Sequence, residues 1–105
     1  MTTKEHDIKL LVQEMAEYMN QYKEGHVVVE VAKDEDEEIF YIADIVIHGY
    51  VYDGDEIVDT ASRSFEVGYS NDKAIAEELA KKGHDAIKRI AVRFEVNEEI
   101  EYTNY

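Results

Sequence analysis

The chain has 105 residues, of which 25 are acidic and 11 are basic, so its formal net charge at pH 7 is −14. This length predicts one domain spanning residues 1–105, with loose ends at 1–2 and 103–105, and an apolar content of 45% argues against disorder. The chain contains no cysteine, which excludes disulfides, zinc–thiolate sites and thiol catalysis and fits a cytoplasmic protein. The sequence shows no secretion signal and no apolar run of about 20 residues, so we expect no membrane span.

The first predicted element is a helix over residues 3–23. Thr2 and Glu5 have the spacing of a capping box, in which each side chain satisfies a backbone N–H of the other residue. Gly25 predicts the end of the helix. The apolar residues recur at helical spacing and form one stripe: Ile8, Leu11, Val12, Met15, Met19 and Tyr22.

Three strands are predicted next, over residues 26–33, 39–52 and 57–69. The first places Val27, Val29 and Val31 on one face. The second has a nearly pure apolar face (Ile39, Tyr41, Ala43, Ile45, Ile47 and Val51) and a mixed, aromatic face (Phe40, Ile42, Asp44, Val46, His48, Tyr50 and Tyr52). Such a strand is typical of the centre of a sheet. A hairpin turn at residues 53–56 joins it to the third strand, in which Ile57, Ala61, Phe65 and Val67 share a face.

A second helix is predicted to begin at Asn71 or Asp72, either of which is a good N-cap, and to run to about residue 93. Gly83 lies within its apolar stripe at a cost of about 1 kcal/mol relative to alanine, which indicates close packing on a neighbour or a kink. Residues 94–105 alternate in polarity and predict either a fourth strand or an extended tail. The predicted fold class is therefore α+β with two layers: a helix, a three-stranded antiparallel meander and a helix, with or without a C-terminal fourth strand.

The acidic residues are concentrated in particular segments of the chain. Residues 34–59 contain ten acidic and no basic residues, and residues 94–105 contain four acidic and no basic residues. Residues 71–93, in contrast, contain six basic and four acidic residues. Concentrated like charge opposes folding by self-repulsion, and a chain selected for solubility alone can mix signs. The pattern therefore favours a cationic partner.

The predicted partner-binding residues lie in two acidic turns and in the aromatic residues beside the second one. They are Asp34, Glu35, Asp36, Glu37, Glu38, Tyr50, Tyr52, Asp53, Asp55 and Glu56. Tyrosine is a frequent energetic anchor at interfaces, but it is equally a strand former that is half-buried in sheets. Both interpretations stay open for Tyr50 and Tyr52.

Catalytic, metal and cofactor sites have little support in the sequence. Asp44 and His48 lie four apart on one strand and therefore share a face, an arrangement considered for a base and a residue that orients it, but no nucleophile accompanies them. The acidic residues of the hairpin turn match no complete calcium loop, the histidines lack zinc-ligand spacing, and no glycine-rich phosphate loop is present. On the second helix, Glu77–Lys81, Glu78–Lys82 and Asp85–Arg89 are predicted to form ordinary surface pairs. We expect no enzyme, cofactor or metal site.

In size, acidity and element order, residues 3–93 resemble small phage-encoded inhibitors that mimic nucleic acid, including certain anti-CRISPR proteins. The resemblance is one of topology and charge and contains no sequence motif. The same element order occurs in double-stranded-RNA-binding domains, but those need basic loops where this chain has acidic turns. The resemblance implies a protein that occupies the nucleic-acid channel of a nuclease or another DNA-binding enzyme.

The sequence thus predicts a non-enzymatic acidic inhibitor whose turns stand where phosphates normally meet Lys and Arg. Its partner is expected to be the basic surface of a nucleic-acid-binding protein, with no direct contact to nucleic acid or membrane. The alternative is an acidic adaptor or homo-oligomerisation module, because the second face of the central strand is apolar enough to need a cover. The C-terminal segment or another copy of the protein is the expected cover, so a monomer and a homodimer both remain open.

Overall fold

A computed structural model describes residues 2–36 and 38–104 of the chain. It contains six strands and two helices within these residues. Their bounds are β1 Thr3–Glu5, α1 Ile8–Met19, β2 Gly25–Asp34, β3 Phe40–Asp53, β4 Glu56–Ser70, α2 Lys73–Ile90, β5 Phe94–Val96 and β6 Glu101–Asn104.

The strands form one sheet in the order β1-β4-β3-β2-β5, with β6 also paired to β2, and the sheet is curled into a half-barrel. The β2, β3 and β4 strands are antiparallel neighbours, whereas β5 and β6 run parallel to β2 along its outer edge. The predicted arrangement of a helix, a three-stranded meander and a helix is therefore wrong. The N-terminal strand β1 was not predicted, because three residues show too little alternation to be recognised in the sequence. Residues 94–105, for which a fourth strand or an extended tail was predicted, form two short strands, β5 and β6.

The N-terminal prediction fails because residues 3–5 form an edge strand rather than the first turn of a helix. Thr3 pairs with Ser70 and Glu5 with Gly68, so the capping box predicted for Thr2 and Glu5 is absent. The helix begins later, with Asp7 as its N-cap, whose carboxylate accepts a hydrogen bond from the Lys9 amide at 2.9 Å. The periodic apolar stripe also starts only at Ile8, so the preceding residues have no apolar face to bury by becoming helical.

The first helix also ends before its predicted limit, at Met19, with Asn20 as its C-cap. Tyr22 lies beyond the helix and packs on the backbone of Gly49 in β3. A Cβ atom at Gly49 would lie 2.4 Å from the Tyr22 ring. The absence of a side chain at Gly49 therefore lets an aromatic ring cover the end of the β2–β3 pair.

Both helices pack on one face of the sheet, and the core fills the space between them. The buried residues are Leu11, Met15 and Met19 from α1, Ala76, Leu79, Ala80 and Ile87 from α2, and Val27, Val29, Val31, Ala43, Ile45, Ile47, Phe65, Val67 and Phe94 from the strands. The predicted alternation is confirmed in the middle of the strands. It fails at their ends, where Ile39, Val51 and Ile57 are 51%, 38% and 50% exposed because no helix covers them.

Gly83 packs closely on the sheet, in agreement with the close packing on a neighbour that the sequence indicated. A Cβ atom at this position would lie 2.7 Å from Cγ2 of Val67 and 3.0 Å from Cδ1 of Ile45.

The second helix begins at Lys73 with Asp72 as its N-cap, as predicted.

The β3–β4 hairpin extends beyond the rest of the sheet. Pairing between β2 and β3 ends at Gly49, so the following residues of β3 pair only with β4. The result is a two-stranded ribbon that turns at Gly54, whose φ of +64° is readily adopted by glycine. This confirms the predicted Asp-Gly turn and places it at one extremity of a molecule that measures 50 × 26 × 20 Å.

The resemblance to small phage inhibitors depended on a helix–three strands–helix order, which the structure does not have. The first strand precedes the first helix, and two strands follow the second helix. The topological part of the resemblance is therefore wrong, and the charge pattern is the part that remains.

Candidate functional site

The two predicted acidic turns lie at opposite ends of β3. Asp34 ends β2 and is followed by the exposed residues Glu35 and Asp36, whereas Asp53 ends β3 at the other extremity. The 14 residues of β3 separate the turns by roughly 40 Å, at about 3.3 Å per residue. The structure therefore does not bring the two clusters together into one binding surface.

The first turn is partly neutralised by its own chain. The Lys33 ammonium lies 2.7 Å from the Glu35 carboxylate, and this contact raises the pKa of Lys33. The Asp34 carboxylate accepts a hydrogen bond from the Asp36 amide at 3.1 Å, which organises the turn. Glu38 is exposed, and Glu37 lies outside the described residues.

The hairpin turn carries its carboxylates without such neutralisation. Asp53, Asp55 and Glu56 are exposed, and within the described part of the chain no ion pair involves them. The hairpin turn therefore keeps its three carboxylates without a basic partner among the described residues, whereas Lys33 offsets one carboxylate of the first turn.

The two candidate tyrosines are held against the beginning of β2. The Tyr50 hydroxyl lies 2.9 Å from Nδ1 of His26, and the Tyr52 hydroxyl donates a hydrogen bond to Glu24 at 3.0 Å. Burial and the Glu24 carboxylate together raise the pKa of Tyr52. Both hydroxyls are thus engaged within the protein. Both rings are half-buried, so part of each ring remains accessible.

A row of carboxylates crosses the face of the sheet that the helices leave open. Strand register places Glu101 of β6 beside Glu30, Glu30 beside Asp44, and Asp44 beside Glu66. Neighbouring strands lie about 5 Å apart, so four adjacent strands each contribute one carboxylate to the row. No local sequence pattern indicates this row, because its four members are distant in the chain and meet only through strand pairing.

The members of this row differ in burial and in their partners. Asp44 is only 5% exposed, and Glu66 lies 2.5 Å from Nε2 of His6. Burial, followed by the charge of Glu101, raises the pKa of Glu30. The native state thus tolerates the Glu30 charge less readily than water does.

Charge is segregated between the two sides of the sheet. In the described strands, the open face carries one basic residue, Lys4, and six acidic ones: Glu30, Asp34, Asp44, Glu66, Glu95 and Glu101. On the opposite side, α2 carries five basic and three acidic residues. The open face is therefore the negative side of the molecule, and α2 is the positive side.

The charged side chains of α2 have partners other than those the sequence predicted. Lys81 pairs with Glu78 at 3.8 Å, and Lys82 pairs with Glu5 of β1. Glu77 accepts a hydrogen bond from the Tyr102 hydroxyl at 2.8 Å. The predicted i,i+4 pairs are therefore wrong for these residues, because β1 and β6, whose positions in the sheet were not predicted, supply competing partners to Lys82 and Glu77.

Two histidines stack on the open face near the base of the ribbon. The rings of His26 and His48 lie 4.4 Å apart at 23°, and Nδ1 of His48 is 2.6 Å from the Ser62 hydroxyl. Burial, followed by the charge of His26, lowers the pKa of His48. Asp44, the predicted orienting residue, lies about 13 Å along the strand from His48, because four residues rise about 3.3 Å each.

Among the described residues, no group of three or more acidic or histidine side chains is arranged to hold a metal ion. No helix in the described part is long and apolar enough to cross a membrane. Comparisons with protein-family models, curated proteins and solved structures found no match to this chain.

Proposed function

We propose that this protein is a non-enzymatic acidic inhibitor that occupies the basic nucleic-acid-binding surface of a nuclease or another DNA-binding protein. The observation that carries the proposal is the charge of the open sheet face, where five partly or fully exposed carboxylates, with the buried Asp44 among them, are accompanied by one lysine. Lys and Arg side chains that neutralise phosphates can instead pair with carboxylates presented in such an array. CRISPR nucleases belong to this class of target.

The raised pKa of Glu30 supports a cationic occupant for this face. Burial and a neighbouring carboxylate make the charge of Glu30 unfavourable in the free protein, and a Lys or Arg from a partner would relieve that cost. The proposed surface comprises the open face together with the first acidic turn, because Asp34 belongs to that face. The hairpin turn lies roughly 40 Å from the first acidic turn. It would contact the same target only if the basic channel of that target extends over this distance.

The first experiment is capture of partners from a bacterial lysate on the immobilised protein, with and without competing duplex DNA. The proposal predicts a nucleic-acid-binding protein that is displaced by DNA and by rising salt. The double variant Asp34→Asn, Asp36→Asn should weaken this capture more than the matched Asp53→Asn, Asp55→Asn variant. Each removes two charges, and asparagine retains the side-chain oxygen that organises the first turn.

The alternative function, an adaptor or self-association module, is favoured by a different observation. β6 lies beside β2 and extends the sheet, so it does not cover the open face as one prediction required. Phe40, Ile42 and Val46 remain half-buried there. A second copy on this face would place two carboxylate rows opposite each other, where they repel. Light scattering should therefore show association only when salt screens the carboxylates or low pH protonates them.

A further inference from the structure

The outer edge of β4 is free over most of its length. β1 covers only its last residues, pairing with Gly68 to Ser70, and the His6 amide bonds the Val67 carbonyl at 2.9 Å. Within the described residues, no strand pairs with this edge before Val67. Pairing with β3 is irregular at Val51/Tyr52 and at Ala43/Asp44, and residues 59–66 of β4 form the regular segment between those irregularities.

The hydrogen-bonding groups along this edge alternate in direction. Along a strand, the side chains and the backbone N–H and C=O groups of successive residues alternate in direction with the same two-residue period. The residues whose side chains lie on the open face are Thr60, Ser62 and Ser64. Their N–H and C=O groups therefore point away from β3. The Thr60 amide bonds the Asp59 carboxylate at 2.8 Å and not a neighbouring strand, in agreement with this direction. Natural proteins usually protect such edges with lysine, proline or a cover, yet these three side chains are small.

A groove lies between this edge and α1. Its volume is about 380 Å³, and its lining includes Leu10 and Leu11 from α1 and Phe65 from β4. Leu10 is 55% exposed, so the groove offers an apolar floor to an incoming side chain. The groove begins where β1 ends, so an added strand would continue the line of β1.

The charges around the groove select the occupant. Asp7, Glu14 and Glu66 line it, and Asp59 lies farther along the same edge. The lining contains one guanidinium, that of Arg63, which lies 4.5 Å from the Phe65 ring centre. Three acidic groups thus line the groove with Arg63 and with His6, which pairs with Glu66, beside the outward-facing backbone groups of Ser62 and Ser64.

We infer that this edge and groove bind an extended, basic polypeptide segment of another protein. The segment adds to β4 as an antiparallel strand, places one apolar side chain on the exposed Leu10, and directs Lys or Arg side chains toward Glu14 and toward Glu66, where they compete with the His6 ring. A second copy of this chain fits less well, because its own β4 edge carries Asp59 and Glu66 and its net charge is −14. The inference rests on the β4 edge and not on the proposed function, although Glu66 belongs to both surfaces, so its test reads strand pairing at β4 rather than loss of charge on the open face.

The test uses the full-length protein labelled with ¹⁵N and a synthetic peptide in which Lys alternates with Val and one Leu, matched in length to residues 59–66. Bound peptide should slow amide hydrogen exchange roughly tenfold or more at Ser62 and Ser64, and less at Thr60, whose amide already bonds the Asp59 carboxylate. Exchange at Ala61 and Arg63 should change little, because their amides already face β3. An analogue N-methylated along its pairing edge keeps the charge and should bind roughly tenfold more weakly.

A pair of matched variants locates the apolar contact. Leu10→Ala should weaken peptide binding several-fold, whereas Val92→Ala, at an apolar residue that is 91% exposed outside the groove, should leave it unchanged. Equal binding of the N-methylated analogue would overturn the inference, since attraction to the acidic surface would then suffice. Concentration-dependent protection of the same amides without peptide would also overturn it and identify a second copy as the occupant.

Discussion

Replacing Glu30 by glutamine should stabilise the protein at neutral pH. Glu30 is half-buried on the open face between Glu101 and Asp44, at strand spacings of about 5 Å. Two unit charges at that distance repel by about 0.8 kcal/mol in water and by about 3 kcal/mol at an effective dielectric constant near 20. For a half-buried site we expect Glu30→Gln to gain about 1–2 kcal/mol, which raises Tm by roughly 4–10 °C in a domain of this size.

The pH dependence of this gain follows from the raised pKa of Glu30. In the pH range between its ordinary value and its raised value, the native state binds the proton more readily than the unfolded state. The penalty of the charged form is therefore complete above the raised pKa and disappears as pH falls through the ordinary value of about 4.3. The stabilisation by Glu30→Gln should vanish over the same interval.

Thermal unfolding at low ionic strength, followed by circular dichroism at several pH values, measures this effect. Glu78→Gln is the matched control, since it removes one exposed carboxylate that lies 3.8 Å from Lys81. The control should change stability by less than about 0.5 kcal/mol. A Glu30→Gln protein that is no more stable than the parent at pH 7, or whose gain persists after Glu30 is protonated, would refute the reasoning.

Two further predictions concern packing and charge. Gly83→Ala should lower the urea midpoint, because overpacking against Val67 and Ile45 costs about 1–3 kcal/mol and exceeds the gain of about 1 kcal/mol in helix propensity; a higher midpoint would show that the helix can move away from the sheet. The Tm of the parent should rise with moderate NaCl, because screening reduces the self-repulsion of a protein with a net charge of −14. A Tm unchanged across a series of salt concentrations would contradict that expectation.

The central strands were predictable because they are long enough to show alternation. Val27, Val29 and Val31 face the core as expected, and the Asp-Gly turn lies where the sequence placed it. Alternation indicates only which way a side chain faces, not whether anything covers it. Val51 therefore follows the pattern of the core and yet lies on the ribbon, where no helix packs.

The N-terminal edge strand, the pairing of the C-terminal strands with β2 and the carboxylate row were not predictable for a common reason. β1, β5 and β6 have three or four residues each, and they are ordered by pairing with longer strands rather than by their own periodicity. The row depends on the same long-range pairing, which joins Glu30 to Glu101 across 71 positions of the chain. Local patterns identified Asp44 as an unusual polar residue in an apolar strand, but they could not identify its carboxylate neighbours on the adjacent strands.

The most direct test of the proposed function compares two variants with equal charge on different faces. Glu30→Gln, Glu95→Gln, Glu101→Gln removes three carboxylates from the open face, whereas Glu17→Gln, Glu78→Gln, Asp85→Asn removes three exposed carboxylates from the helices. The affinity of each is measured for the DNA-displaced partner captured from lysate, at one fixed salt concentration. The proposal predicts at least roughly tenfold weaker binding for the open-face variant and less than about threefold for the helix variant. Equal losses in both variants would show that net charge alone attracts the partner and would contradict the assignment of the open face as the binding surface.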